Sequence, residues 1–304
     1  DRSCKFPMTQ SDISQKKIGI FDSGLGGLNV MQAISTCLPH ENITYFGDTA
    51  HLPYGNKSIE LITTYVLESI DFLLSQDIKL LIIACHTACA ACLEIIRSIV
   101  KVPIIAILEQ ALEEIIDTKP NDSIVVLGTR ATISSGTYQN QLYRKLPDIC
   151  LSCIACPLFV PLIEEGYFDH PITQLAVTEY LSPLIGESID AILLGCTHYP
   201  LIESLIRQCM GNKIPLLDPA ARCAQTTRQL LSKLDLLNLQ IDPAKYQFFV
   251  SQDPERFSAL SKRFFHYPIE KTSPLIMTQV HKKREKNPIS LLELKNKLNL
   301  SIAK

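Results

Sequence analysis

An apolar run that stops at a cysteine, a threonine and a histidine occurs twice in this chain, and the duplication limits the possible folds more than any other feature. Residues 191–194, Ala-Ile-Leu-Leu, are followed by Gly195, Cys196, Thr197 and His198; residues 80–84 are followed by Cys85, His86 and Thr87. Four or five apolar residues in a row without alternation read as a strand buried on both faces, the habit of a parallel sheet. The reactive trio then lies at the carboxyl edge, where open α/β sheets bind ligands. Flanking segments repeat in the same order. Residues 18–21, ending at Asp22, match 124–127, ending at Gly128, and Val-Pro-Ile-Ile at 102–105 matches Ile-Pro-Leu-Leu at 214–217. Three paired segments point to two similar halves related by a pseudo-twofold axis, with Cys85 and Cys196 facing one another across a shared cleft.

The fold class expected is therefore α/β: two pseudo-symmetric Rossmann-like domains with mostly parallel sheets and an active site at the interdomain cleft. The expected division is a polar extension at 1–16, a first domain at 17–108 plus 214–268, a second at 109–213, and an extension at 269–304. A chain of 304 residues is long enough for two cores. Charged residues make up 20%, hydrophobic ones 46%, and the net charge is −2. That balance describes a globular protein with no overall basic field, so nucleic acid is not an expected partner. Residues 1–16 carry no secretory apolar core and no run reaches membrane-spanning length, so the expected location is cytoplasmic. Eleven cysteines, an odd number in such a chain, argue against a disulfide framework. Cys4, Cys37, Cys209 and Cys223 read as small buried apolar residues.

Along the chain, residues 17–21 form the first strand, and Asp22-Ser23-Gly24-Leu25-Gly26-Gly27 the turn into a helix over 28–38. A dinucleotide fingerprint would place a third glycine at position 29, where this chain has asparagine; the glycines instead expose backbone N–H groups as a carboxylate or phosphate site. Asp22 either pairs with a substrate ammonium, steers a base, or caps the helix. A strand over 42–46 leads into Gly47-Asp48-Thr49-Ala50-His51-Leu52-Pro53-Tyr54-Gly55, a shaped loop in which Tyr54 offers a hydroxyl and Gly55 a close backbone approach. A helix is expected over 58–75, then the Cys85 corner, a strand over 103–108 and a helix over 109–117. In the second half, Gly128-Thr129-Arg130-Ala131-Thr132 mirrors the first turn with hydroxyls in place of glycines. Thr129 and Thr132 either bind a carboxylate or cap a helix over 134–145. A strand over 150–155, the acid-ended segment 156–166 with Glu164 and Glu165, and helices over 171–186 and 199–207 frame Cys196. A helix over 220–234, a strand over 246–250 and a helix over 254–265 follow. The basic cluster at 281–284 and an amphipathic stretch at 290–300 belong to the tail.

Three chemistries compete for the cysteines. Cys85-x3-Cys89-x2-Cys92 has the spacing of an iron–sulfur motif, and Cys150, Cys153 and Cys156 that of a metal set. But Cys89 and Cys92 fall on a helix at core spacing, and Cys150 and Cys153 point to opposite faces of a strand. No metal is expected. A thiol nucleophile with His198 as base would leave the duplicated cysteine idle. Removing a proton from one face of a carbon and returning it to the other uses both, because it needs two bases on opposite sides of one stereocentre. Thiols suit the task, since nearby histidine, cations or helix starts bring both protonation states within reach near neutrality. Backbone amides with Thr87 and Thr197 would hold the carboxylate whose enolate-like form must be stabilised.

The motifs Phe21-Asp22-Ser23-Gly24-x-Gly26-Gly27, Gly47-Asp48-Thr49-Ala50-x-x-Pro53-Tyr54-Gly55, Ala84-Cys85-x-Thr87-Ala88, Cys156-Pro157-Leu158-Phe159-Val160-Pro161 and Gly195-Cys196-Thr197-His198-Tyr199-Pro200 together resemble those of the glutamate racemases, cofactor-independent members of the aspartate/glutamate racemase superfamily. The resemblance runs from residue 18 to 265. It implies interconversion of L- and D-glutamate without a cofactor, supplying D-glutamate for peptidoglycan, and often a homodimer. By the same resemblance, Cys196 takes the α-proton of L-glutamate while Cys85 donates to the other face, Asp22 assists Cys85, and His198 with Glu164, rather than Glu165, assists Cys196. Ser23, Pro53, Tyr54, Gly55, His86, Thr87, Thr129, Thr132, Thr197 and His198, with Asp22, form the implied substrate-facing set. Three positions depart from the pattern: His86 replaces an asparagine, Glu109-Gln110 a Glu-Pro, and Pro219 a serine. Only His86 touches the chemistry: its imidazole is bulkier than an asparagine and can carry charge, so it either depresses the Cys85 thiol or crowds the pocket, and slow or pH-shifted turnover is expected, which His86→Asn tests. Rival readings are a racemase of another small carboxylate such as aspartate, and a binding protein without catalysis, as in relatives that contact DNA gyrase.

Overall fold

The computed structural model describes residues 10–121, 123–262, 265–266 and 272–274. The chain opens with α1 (Gln10–Ser14) and then alternates through β1 (Lys17–Asp22), α2 (Gly27–Cys37), β2 (Ile43–Gly47), α3 (Ile59–Leu74), β3 (Ile78–Ile83), α4 (His86–Ile99), β4 (Ile104–Ala106) and α5 (Ile107–Thr118). A second run comprises β5 (Ser123–Gly128), α6 (Arg130–Ser134), α7 (Thr137–Lys145), β6 (Cys150–Ala155), α8 (Phe159–Glu164), α9 (Pro171–Leu181), β7 (Ala191–Gly195), α10 (Glu203–Met210) and β8 (Leu216–Leu217). The chain returns through α11 (Ala220–Lys233), β9 (Tyr246–Val250), α12 (Pro254–Ser261) and β10 (Thr272–Pro274).

Two parallel sheets result, one ordered β10-β9-β2-β1-β3-β4 and the other β6-β5-β7-β8. The order β2-β1-β3-β4 in the first is repeated as β6-β5-β7-β8 in the second, so the duplicated sequence segments occupy equivalent strands. In each sheet the winding reverses beside the first strand, between β1 and β3 and between β5 and β7. Such a reversal leaves a crevice beyond the carboxyl ends, and there the chain places Asp22 with Cys85, and Thr129 with Cys196.

Burial explains the strands. Every residue of β2, β3 and β7 is buried, because helices cover both faces. In β5 and β7 the alternation of a pleated strand splits the side chains. Ile124, Val126, Ala191 and Leu193 join the large core around the first sheet, while Val125, Leu127, Ile192 and Leu194 pack with Phe159, Val177 and Ile206 on the far face. One core thus runs beneath both sheets.

Several expected bounds shift. The helix expected over 134–145 starts only at Thr137, as α7, because Gly136 adopts a left-handed backbone (φ 67°) and separates it from the short α6. The one expected over 199–207 begins as a 3-10 turn at Tyr199–Ile202, and the one over 171–186 ends at Leu181, continued only by a 3-10 turn at Ser182–Leu184. The strand expected over 103–108 stops at Ala106 and α5 starts at once. Because β8 pairs with β7, the return to the first sheet falls after Leu217, not at 214. Beyond 268, β10 adds an edge strand to the first sheet, where a separate extension was expected. Residues 281–284 and 290–300 lie outside the described residues.

Candidate active site

Cys85 stands at the start of α4 and Cys196 at the end of β7, and both are buried. Each has its own set of polar partners. Cys85 Sγ lies 3.6 Å from the hydroxyl of Ser23. Burial, followed by the Asp22 carboxylate, pushes its pKa up to about 12, against smaller opposing contributions from the Ala88 amide and Ser23. A negative charge on Cys196 raises it further, so a second thiolate is disfavoured once the first exists.

Cys196 Sγ faces His198 Nδ1 at 3.7 Å, and the opposite ring nitrogen, Nε2, meets Glu164 Oε1 at 2.5 Å. Burial alone would hold the His198 ring neutral, but Cys196 and Glu164 outweigh it and raise its pKa well above the ordinary histidine value. Glu164 Oε1 also accepts from the Leu25 backbone N–H at 3.0 Å, which ties α8 to the glycine-rich turn of the other lobe.

Asp22 is completely buried and does not cap α2, whose first turn has no side-chain cap. Its Oδ2 accepts from Gly24 N at 2.9 Å and its Oδ1 from the Thr197 hydroxyl at 3.1 Å, across the cleft. The turn it braces presses on the second lobe. A Cβ on Gly26 would lie 2.7 Å from the backbone nitrogen of His198, so only glycine admits this approach.

Thr87, Thr129 and Thr132 form a ring of hydroxyls at 2.9, 3.1 and 2.9 Å, one from the first lobe and two from the second. Thr129 also caps a helix, α6, by accepting from Thr132 N at 3.3 Å. Gly55 comes from the other side, and a Cβ there would meet the Thr129 side chain at 2.5 Å. Pro53 is part-buried and borders a cleft of about 320 Å³ with Leu25, Leu52, Val160, Glu164 and Arg256; neither Cys85 nor Cys196 is among its lining residues.

Two expected contacts take another form. The Tyr54 hydroxyl donates to Asp48 Oδ2 at 2.6 Å and the ring is buried, so its proton is committed within the loop. His86 is buried against Tyr138, with Nδ1 2.7 Å from the phenol oxygen. Burial pushes its pKa down to about 3. The ring is neutral, so of the two effects open to it beside Cys85, charge and bulk, the charge falls away. The thiols of Cys89 and Cys92 face backbone carbonyls, of Ile83 at 3.6 Å and Ala88 at 3.3 Å. Cys37 and Cys209 are only part-buried, Cys223 is buried, and Cys4 lies outside the described residues.

Asp48 stands in a motif quoted above, but the sequence assigned it no role. Its spacing of three from His51 and six from Tyr54 in one turn-rich loop was the available signal.

A sequence model of the family described as Asp/Glu/Hydantoin racemase matches residues 23–227. A glutamate racemase of Syntrophus aciditrophicus is 43% identical over 247 residues, which are 81% of this chain and 92% of the relative. One from Neisseria meningitidis is 39% identical over 257 residues, 84% and 95% of the two chains. The crystal structure of glutamate racemase from Francisella tularensis in complex with D-glutamate superposes with a TM-score of 0.81 at 34% identity, covering 88% of this chain and 99% of that one. The buried cysteines at equivalent switch points and these likenesses agree: the chain belongs to the Asp/Glu/hydantoin racemase family.

Proposed function

We propose that the protein is a glutamate racemase that interconverts L- and D-glutamate through two cysteine bases. The observation that carries the reading is the equivalence of Cys85 and Cys196: each follows the same strand of a repeated sheet, and each is buried beside its own polar partner. The α-carbon would sit between the sulfurs. In one direction the Cys196 thiolate takes the α-proton, the electron pair passes toward the carboxylate as an enolate-like species, and the Cys85 thiol delivers its proton to the opposite face. The reverse reaction exchanges the roles. Both protons are carried by thiols, so no step runs through a cofactor.

The electrostatics support one thiol and one thiolate in the pair. Cys85, high in pKa beside Asp22, suits the proton donor. A charged His198 ring 3.7 Å from Cys196 is a partner for the thiolate formed there. In this reading Asp22 would receive the substrate ammonium, and the hydroxyls of Thr87, Thr129, Thr132 and Thr197, with Ser23 and the backbone of residues 53–55, would receive its carboxylates.

With this activity go the supply of D-glutamate to peptidoglycan, a cytoplasmic place and a homodimer, the last read by sedimentation. Circular dichroism of each glutamate and each aspartate enantiomer, incubated with the protein, tests the reaction. Loss of rotation with glutamate but not aspartate is expected, abolished in Cys85→Ala and in Cys196→Ala. Full activity in both variants would overturn the reading.

A further inference from the structure

The loop between β2 and α3 is fixed by a carboxylate that takes no part in the proposed proton transfers. Asp48 is completely buried, and a buried charge is costly unless its oxygens are well served. Three side chains serve it. Tyr54 donates to Oδ2 at 2.6 Å, Ser251 to Oδ1 at 2.7 Å, and His51 Nδ1 lies 2.8 and 2.9 Å from the two oxygens.

Each partner leads to a different element. Ser251 follows β9 and accepts from Ala50 N at 2.8 Å, fastening the loop to the neighbouring strand. His51 stacks on Tyr65 of α3 at 3.7 Å between ring centroids, 12° from parallel. The backbone N–H of Asp48 donates to the carbonyl of Asp22 at 3.0 Å. Tyr54 adjoins Gly55, the residue pressed against Thr129 of the other lobe.

We propose that Asp48 is a positioning residue for substrate binding, setting the backbone of residues 53–55 against Thr129, and that the Tyr54 hydroxyl acts through Asp48 rather than on the substrate. This rests on the reading of those residues as a substrate-facing loop of a glutamate racemase. A displaced loop weakens ground state and transition state alike, which raises KM and leaves kcat in place.

A double-mutant cycle tests it on the full chain, with both glutamate enantiomers. Asp48→Asn keeps the volume but turns one acceptor into a donor, and Tyr54→Phe removes only the hydroxyl. Each single change is expected to raise KM about three- to tenfold, the size of one lost hydrogen bond, with kcat within about twofold. The double variant should be no worse than Asp48→Asn alone, because both changes break one interaction. Effects that multiply would mean that Tyr54 reaches the substrate independently, and would overturn the proposal. So would a fall in kcat at constant KM in Asp48→Asn.

If Asp48→Asn does not fold, Ser251→Ala replaces it in the cycle: a smaller rise in KM, not multiplied by Tyr54→Phe, supports the proposal, and an unchanged KM overturns it. A parent protein that does not interconvert glutamate would overturn the racemase reading first, before any variant is compared.

Discussion

At the scale of single residues, the environment of each titratable group decides its part. His86 has no charged partner among the described residues, and burial holds its pKa at about 3 against 6.5 for a free histidine. Between those values the unfolded chain binds a proton that the folded chain refuses, so this residue makes stability fall as pH drops from about 6.5 toward 3. Replacing it with asparagine should flatten that slope in denaturation curves taken from pH 7 to pH 4, and should leave the pH profile of turnover where the parent has it. A shifted profile would contradict a neutral ring. His198 is the opposite case, since its Glu164 and Cys196 partners overcome burial and keep it charged. Glu164→Gln removes the carboxylate that holds this charge. A loss of about 10²-fold in kcat is expected, the usual worth of an assisted proton transfer. The α-deuterium isotope effect should grow for the enantiomer whose proton Cys196 removes and not for the other; equal growth for both would place Glu164 outside that half of the reaction.

At the scale of elements, the strands were the most legible part of the sequence. Apolar runs such as 80–83 and 191–194 read as strands covered on both faces, and their repetition announced the second sheet. Helix breaks were less legible, because Gly136 divides α6 from α7 only through a left-handed backbone that many glycines never use. Side-chain orientation was least legible: Tyr54 and His86 lie in motifs that touch the site, yet their polar atoms are spent on Asp48 and Tyr138. Nor did the sequence disclose the buried ion pair that joins the first sheet to its surroundings. Lys79 Nζ, on β3, lies 2.6 Å from Glu41 Oε2 and donates to the carbonyls of Ser14 and Leu236, while Glu41 Oε1 accepts from Asn238 N. Lys79→Met leaves Glu41 charged and unpaired, and should cost about 3–5 kcal/mol in chemical denaturation. The double change with Glu41→Leu should recover part of that loss. A single variant as stable as the parent would show that the pair carries no net burden in the fold.

At the scale of the whole molecule, two lobes with equivalent topology close on one another through Asp22 and Thr197, the three threonine hydroxyls, and Glu164 with Leu25. Cys85 is 4% exposed and Cys196 6%, so any reagent reaches the sulfurs only after the residues that cover them move. Alkylation mapped by mass spectrometry should therefore label the exposed Cys150 well before either site cysteine, and saturating glutamate should slow the site cysteines further while leaving Cys150 unchanged. Labelling of Cys85 and Cys196 as fast as Cys150 would contradict a closed resting form. Two sulfurs on opposite faces of one carbon remain the centre of the account, and following the α-hydrogen in deuterium oxide tests them most directly. At low conversion of L-glutamate, the D-glutamate formed should carry one solvent deuterium at Cα while the remaining L-glutamate keeps its protium. D-glutamate that retains the original protium, or L-glutamate that exchanges as fast as it racemises, would contradict a two-base mechanism.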